Sequence, residues 1–228
     1  VAGFPPQTLA FLRELADEPT AAFFDAHRDR YHDHWRAPAR AFVEAMAPLL
    51  AELAPGLRAE ARVHGSILHP RQDVRFARDR APYRDHVGVL FWEGDRATAP
   101  SVLYLRLHPD HVTIGAGARR LDGARLHAYR RAVVDPGAGG TLVDAVRRVE
   151  GDGWTLRGAT LARGPRDLGS TDPDRARLLR HTGLWAADDL PHPRVLGTAR
   201  FPAWCQRRWA RLLPLHRWLT DHLAPVPP

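Results

Sequence analysis

The chemistry of this chain is densest between Arg71 and His86, where five arginines and three aspartates fall within sixteen residues. Guanidinium groups presented this way are planar, multi-donor forks that match a carboxylate or a phosphate. Arg71, Arg75, Arg78 and Arg84 are the candidates for holding such an anion, with Asp73 and Tyr83 beside them. A competing reading pairs the same arginines with Asp73, Asp79 and Asp85 in a self-neutralising surface loop. Proton carriers accompany the stretch: His64, His69 and His108 change charge around neutrality, and Tyr104 can donate a hydrogen bond. These four are the candidate catalytic residues, and Arg106 joins the binding set. Ser66 stands close to His64, but no third group is evident to orient a base for a nucleophile. His64, His69, His108 and Asp73 offer an alternative zinc or iron set with no spacing signature behind it. The reading therefore needs no metal and no cofactor.

Helices must flank these residues. Leu9, Leu12 and Leu15 recur at helical spacing, which predicts a helix over Pro6 to Ala16. Thr20 is placed to cap a second, with Phe24, His27 and Tyr31 on one face. His32 and His34 point to different sides of that helix, which argues against a shared metal. From Pro38, the residues Phe42, Val43, Met46, Leu49, Leu50 and Leu53 make a broad apolar stripe ending at Pro55-Gly56, with a bend expected at Pro48.

After Gly56 the pattern alternates, and strands are expected at about 58–69, 86–92, 101–108 and 112–117, the last two joined by a hairpin at Pro109-Asp110-His111. With the apolar side covered, His64, Ser66, Gly88, Tyr104, Arg106, His108 and Thr113 share the other face, where a pocket can form under the arginine loop. An ordinary solvated sheet face accounts for the same residues. Further helices are expected over 121–134, over Leu142 to Val149 after a break at Pro136 to Gly140, from Pro173 to near Gly183, and over Pro202 to Leu223. Trp154-Thr155-Leu156 reads as a short strand. The fold class predicted is α+β: one domain over 1–228, with an antiparallel sheet at about 58–117 and helices from both ends packed mainly on one face.

The pattern Asp73-Val74-Arg75-Phe76, then Arg78-Asp79 and Pro82-Tyr83-Arg84, resembles the signature of the bacterial domain-of-unknown-function family DUF2461. The resemblance extends to Gly3-Phe4, Phe24-Asp25-Ala26-His27, Tyr31, Arg163-Gly164-Pro165, Leu178-Leu179-Arg180 and Gly183, and so covers nearly the whole chain. It implies no activity. Where relatives usually carry arginine, this chain has His69 and Gln72: the first replaces a fixed charge with a group that can gain and lose a proton, and the second removes the charge. A site specialised away from its relatives is expected there.

At 228 residues, with 44% hydrophobic and 26% charged content, the composition is that of a globular chain. Its formal charge of +7 invites a nucleic-acid partner. However, all 33 basic residues are arginine, the bias a GC-rich genome imposes. Gly115-Ala116-Gly117 and Gly137 to Gly140 fall short of phosphate-loop fingerprints. One cysteine, Cys205, excludes an internal disulfide and suggests a cytoplasmic location. No apolar run or leader pattern suggests membrane insertion or secretion. The function expected is binding of an anionic or carbonyl-bearing small molecule between the sheet face and residues 71–86, with cofactor-independent acid–base catalysis of the lyase, isomerase, cyclase or hydrolase type. The alternative is a phosphate-backbone binding module using the same arginines.

Overall fold

The computed structural model describes residues 2–71, 82–165, 168 and 172–223. Asp73, Arg75 and Arg78 lie outside the described residues, as do Gln72, Phe76, Asp79 and Arg166.

The chain is α+β. It opens with α1 (Pro6–Asp17), α2 (Ala21–Ala26), a single turn α3 (Arg28–Arg30), a π-helical segment (Tyr31–Arg36) and α4 (Ala37–Leu53). Next come β1 (Leu57–Arg58), β2 (Val87–Glu93), β3 (Val102–Leu107) and β4 (His111–Ala118). The second half holds α5 (Gly123–Val134), α6 (Pro136–Gly151), β5 (Thr155–Arg157), α7 (Pro173–Leu179), β6 (Leu184–Pro191) and α8 (Phe201–Leu223). The strands form a six-stranded antiparallel sheet in the order β1-β2-β3-β4-β6-β5. Among the described residues no helix is long and apolar enough to cross a membrane.

Two compact units make up the chain: Val1–Phe91 with Tyr104–Ile114 and Asp189–Arg208, and Trp92–Leu103 with Gly115–Asp188 and Trp209–Pro228. In the first, the α1 stripe buries Phe11, Leu12 and Leu15, and the α4 stripe buries Phe42, Val43, Met46 and Leu50. Phe4, Phe42 and Phe201 form an aromatic knot with ring centroids 5.4–6.0 Å apart. Thr20 caps α2, its hydroxyl accepting the Phe23 amide hydrogen at 3.1 Å. Phe24 and Tyr31 do share a face, with centroids 4.6 Å apart, and the π-helical turn brings Tyr31 within 5.1 Å of the buried Trp35. Such turns are rare and concentrate at functional sites.

In the second unit, the Tyr129 hydroxyl donates to the Leu178 carbonyl at 2.9 Å, and the Trp218 indole donates to the Ala138 carbonyl at 2.8 Å. The expected break at Pro136 to Gly140 is instead the first turn of α6. Proline lacks only an amide hydrogen that the first turn leaves unused, and Asp135 caps the amides of Gly137 and Ala138 at 2.9 and 2.8 Å. A side chain at Gly139 would run into the Val133 carbonyl, so the corner between α5 and α6 needs glycine there.

The expected strand over 58–69 is largely absent. Only Leu57–Arg58 pairs regularly, and the chain then folds into tight turns. Ser66 Oγ accepts the Glu60 amide at 2.9 Å, and both the Glu60 and Arg62 carbonyls accept amides from within this short segment. These local bonds outcompete a ladder. His64 accordingly has φ of 65°, the only left-handed residue other than glycine among the described residues. Strand β6 had no counterpart in the sequence reading.

Candidate functional site

The hairpin between β3 and β4 forms as expected, with the His108 amide donating to the His111 carbonyl at 2.9 Å across Pro109-Asp110. The two imidazoles stack at 4.2 Å with planes 8° apart, and His111 Nδ1 lies 2.6 Å from Asp110 Oδ1. His192, just past β6, places Nε2 3.0 Å from the His108 carbonyl and 3.2 Å from that of His111. Both partners are acceptors, so this nitrogen carries a hydrogen and clamps the two ends of the turn together.

Asp85 and His86 lead into β2 beside this hairpin. His86 Nδ1 is 2.9 Å from Asp85 Oδ1, the His86 ring is 4.7 Å from that of His108, and His108 Nδ1 is 3.9 Å from the same Asp85 oxygen. The side chains of His86 and His108 are 11% and 17% exposed, whereas that of Asp85 is 51% exposed. Burial pushes His108 down to about 4, helped by the neighbouring His86 and His111. Burial also lowers His86, and the charges of Arg106 and Arg84 add to the effect. The Asp85 bond pulls His86 the other way, but desolvation prevails. Asp85 itself is held below the usual carboxylate range, chiefly by its hydrogen bond from His86. Two neutral imidazoles therefore face one ionised carboxylate at neutral pH.

Two arginines act on this cluster through their charge. The Arg84 amide donates to the Pro70 carbonyl at 2.8 Å, and its Nε donates to the His69 carbonyl at 3.2 Å. The Arg106 guanidinium lies 5.7 Å from the centroid of the Tyr104 ring. Arg71 is exposed and bridges Tyr83, whose ring stacks on Phe24 at 4.6 Å with a 16° interplanar angle. Phe24 in turn meets Tyr31, so three residues of the family-like pattern form one aromatic ladder that anchors the end of the arginine stretch.

Of the residues expected to act together, the structure joins His108 with the charge of Arg106, while the charge of Arg84 falls with that of Arg106 on His86. His64 and His69 form a pair of their own, stacked at 5.2 Å, and His69 Nδ1 accepts the Arg71 amide at 3.0 Å. Ser66 is fully buried and committed to the Glu60 amide, so it is no nucleophile. The Thr113 hydroxyl donates to Asp189 at 2.6 Å, and Tyr104 is 3% exposed, so the expected solvated face is covered at these positions. The space left by Gly88 is taken by Leu68, whose Cδ1 lies 2.7 Å from where a Cβ would sit.

Asp85, His86, His111 and His192 escaped the sequence reading as site residues. For His86 a signal exists: it stands two positions before Gly88 and shares its strand parity with the polar face. For His192 there is none, because β6 reads Leu-Trp-Ala-Ala-Asp-Asp-Leu-Pro without alternation.

A second chemical arrangement lies in the other unit. Ser101 Oγ is 2.8 Å from His216 Nδ1, and His216 Nε2 is 3.1 Å from Glu93 Oε1. The carboxylate fixes the ring so that Nδ1 accepts the serine hydroxyl hydrogen. With Ser101 only 2% exposed and His216 fully buried, this chain of bonds is closed to a substrate and belongs to the core.

The family model of DUF2461, described as a conserved hypothetical protein, matches residues 7–218. Comparison with curated proteins gives no match.

Proposed function

Because the chain belongs to the DUF2461 family, whose description carries no activity, we propose its function from the site alone: it binds a small anion bearing a carboxylate or phosphate at Arg84 and Arg106, beside His86 and His108. One observation carries the reading. The charges of both guanidiniums fall on a histidine whose side chain is only 11% exposed. Fixed positive charge beside a low-dielectric surface raises the local potential and attracts an anion. A guanidinium adds directional donors that match the two oxygens of a carboxylate. Titratable groups displaced this far from their ordinary range concentrate at functional sites, which further supports an assignment here.

Thermal denaturation at constant ionic strength tests the reading. Phosphate and malonate should raise the melting temperature of the wild type. At 100 times the dissociation constant, binding adds about 2.7 kcal/mol. The rise should be lost in Arg106→Ala and reduced in Arg84→Ala, which also loses its bond to the His69 carbonyl. Equal rises in wild type and Arg106→Ala, or none in either, would overturn it.

A further inference from the structure

Asp85, His86 and His108 hold their donor atoms in a constellation that the anion reading leaves unused. A carboxylate oxygen of Asp85 and one ring nitrogen from each histidine all lie within 4.8 Å of one another. Ligands about 2.0–2.2 Å from a first-row metal ion stand roughly 3–3.5 Å apart. The separations from Asp85 Oδ1, 2.9 Å and 3.9 Å, bracket that spacing, and the one between the two histidines is at most 4.8 Å, so side-chain rotations bring the three atoms onto one ion. From this geometry we infer that Asp85, His86 and His108 form a binding site for a single divalent first-row transition-metal ion.

The backbone suits the task. His86 leads directly into β2 and His108 closes β3, so both rings hang from the ends of paired strands rather than from a free loop. His192 holds the His108 carbonyl, and the His111 ring lies flat against the His108 ring, which limits its rotation. His86 Nε2 is buried and has no hydrogen-bond partner among the described residues. With Nδ1 donating its hydrogen to Asp85, this Nε2 carries none and is free to take one. When His86 ligates through Nδ1, the hydrogen it shares with Asp85 moves to Nε2, and the ring stays neutral.

The chemistry selects the ion. Two imidazoles and one carboxylate suit zinc, cobalt, nickel or ferrous iron better than magnesium or calcium, which prefer an all-oxygen shell. Three ligands leave at least one coordination position vacant. Arg84 and Arg106 oppose a bare dication, so an ion carrying an anionic ligand is favoured over an aquo ion. The anion proposed above supplies that ligand. Its role in completing the coordination shell rests on that reading, whereas the three-residue site does not.

The full chain, stripped with a chelator and dialysed, is titrated with Co²⁺ while visible absorption is followed, and then with Zn²⁺ in competition. One equivalent should bind. Asp85→Asn and His108→Ala should each weaken binding by at least about 100-fold, since even an outer-shell partner contributes 10- to 100-fold. His32→Ala, which removes an exposed histidine, should leave it unchanged. Asp85 is half exposed, so Asp85→Asn preserves the fold should His108→Ala not. No stoichiometric binding by wild type, or equal binding by wild type and Asp85→Asn, overturns the site. Malonate stabilisation is measured in parallel with the chelator present. Malonate stabilisation without metal binding overturns the metal site and leaves the anion reading standing, whereas metal binding without any malonate effect does the reverse.

Discussion

Replacing His216 with leucine removes both hydrogen bonds that link Ser101 to Glu93 while keeping an apolar side chain in the space. Ser101, 2% exposed, then has a hydroxyl with no acceptor at His216, and leaving a buried polar group unsatisfied costs about 1–3 kcal/mol. Glu93 loses a charge-assisted bond at 3.1 Å, but its side chain is 24% exposed and water recovers part of that loss. The sum is about 3 kcal/mol, or roughly 6–12 °C in melting temperature for a chain of this size.

The pH dependence follows from Glu93, whose carboxyl is held below its ordinary range chiefly by the His216 bond, with Arg217 contributing. A carboxyl lowered in the folded state stabilises fully above its unfolded value, about 4.3, and the stabilisation fades as pH falls through the lowered folded value. The gap between wild type and His216→Leu should therefore be widest near neutrality and narrow on acidification. The double variant Ser101→Ala with His216→Leu should cost less than the sum of the singles, because the orphaned hydroxyl is gone. Melting curves across pH for the four proteins measure all of this. A shift under about 2 °C at neutral pH, or a gap that persists unchanged down to about pH 3.5, refutes the reasoning.

Three further outcomes are expected. Asp135→Ala should lower stability by about 1 kcal/mol through loss of the α6 cap, seen as a fall of about 2–4 °C in melting temperature. Tyr129→Phe should cost roughly 0.5–1.5 kcal/mol by removing the bond to the Leu178 carbonyl, measurable by urea denaturation. At His64, whose φ is 65°, glycine should be tolerated better than alanine by about 1 kcal/mol, and equal stabilities of the two variants would mean the turn relaxes instead.

Much of the fold was legible because periodicity carried it. The α1 and α4 stripes, the Thr20 cap and the β3–β4 hairpin each follow from residues within a few positions of one another. The failures share a cause. Around Ser66 the alternation was real, but backbone bonds within the turn decided the conformation. At Pro136 the glycines looked like a break, although the capping aspartate preceding them was the stronger signal. The candidate site was legible only in part, because histidine is common here and alternation ranks His108 no higher than His64. What separates them is burial and the company of His86, Asp85 and His111, and these are properties of strands that meet from distant parts of the chain.

The clamp from His192 to the hairpin carriers of His108 and His111 also sets an order of assembly. His192 lies more than eighty positions beyond its two carbonyl partners, so closing that contact orders a long intervening stretch of chain. Non-local pairing of this kind forms slowly compared with a hairpin, whose own ends meet within microseconds. During synthesis the β3–β4 hairpin can therefore form early with its imidazoles in place but unbraced. The site acquires its rigidity only after β6 has emerged and docked, and a chain truncated before His192 would keep the chemical groups while lacking the brace.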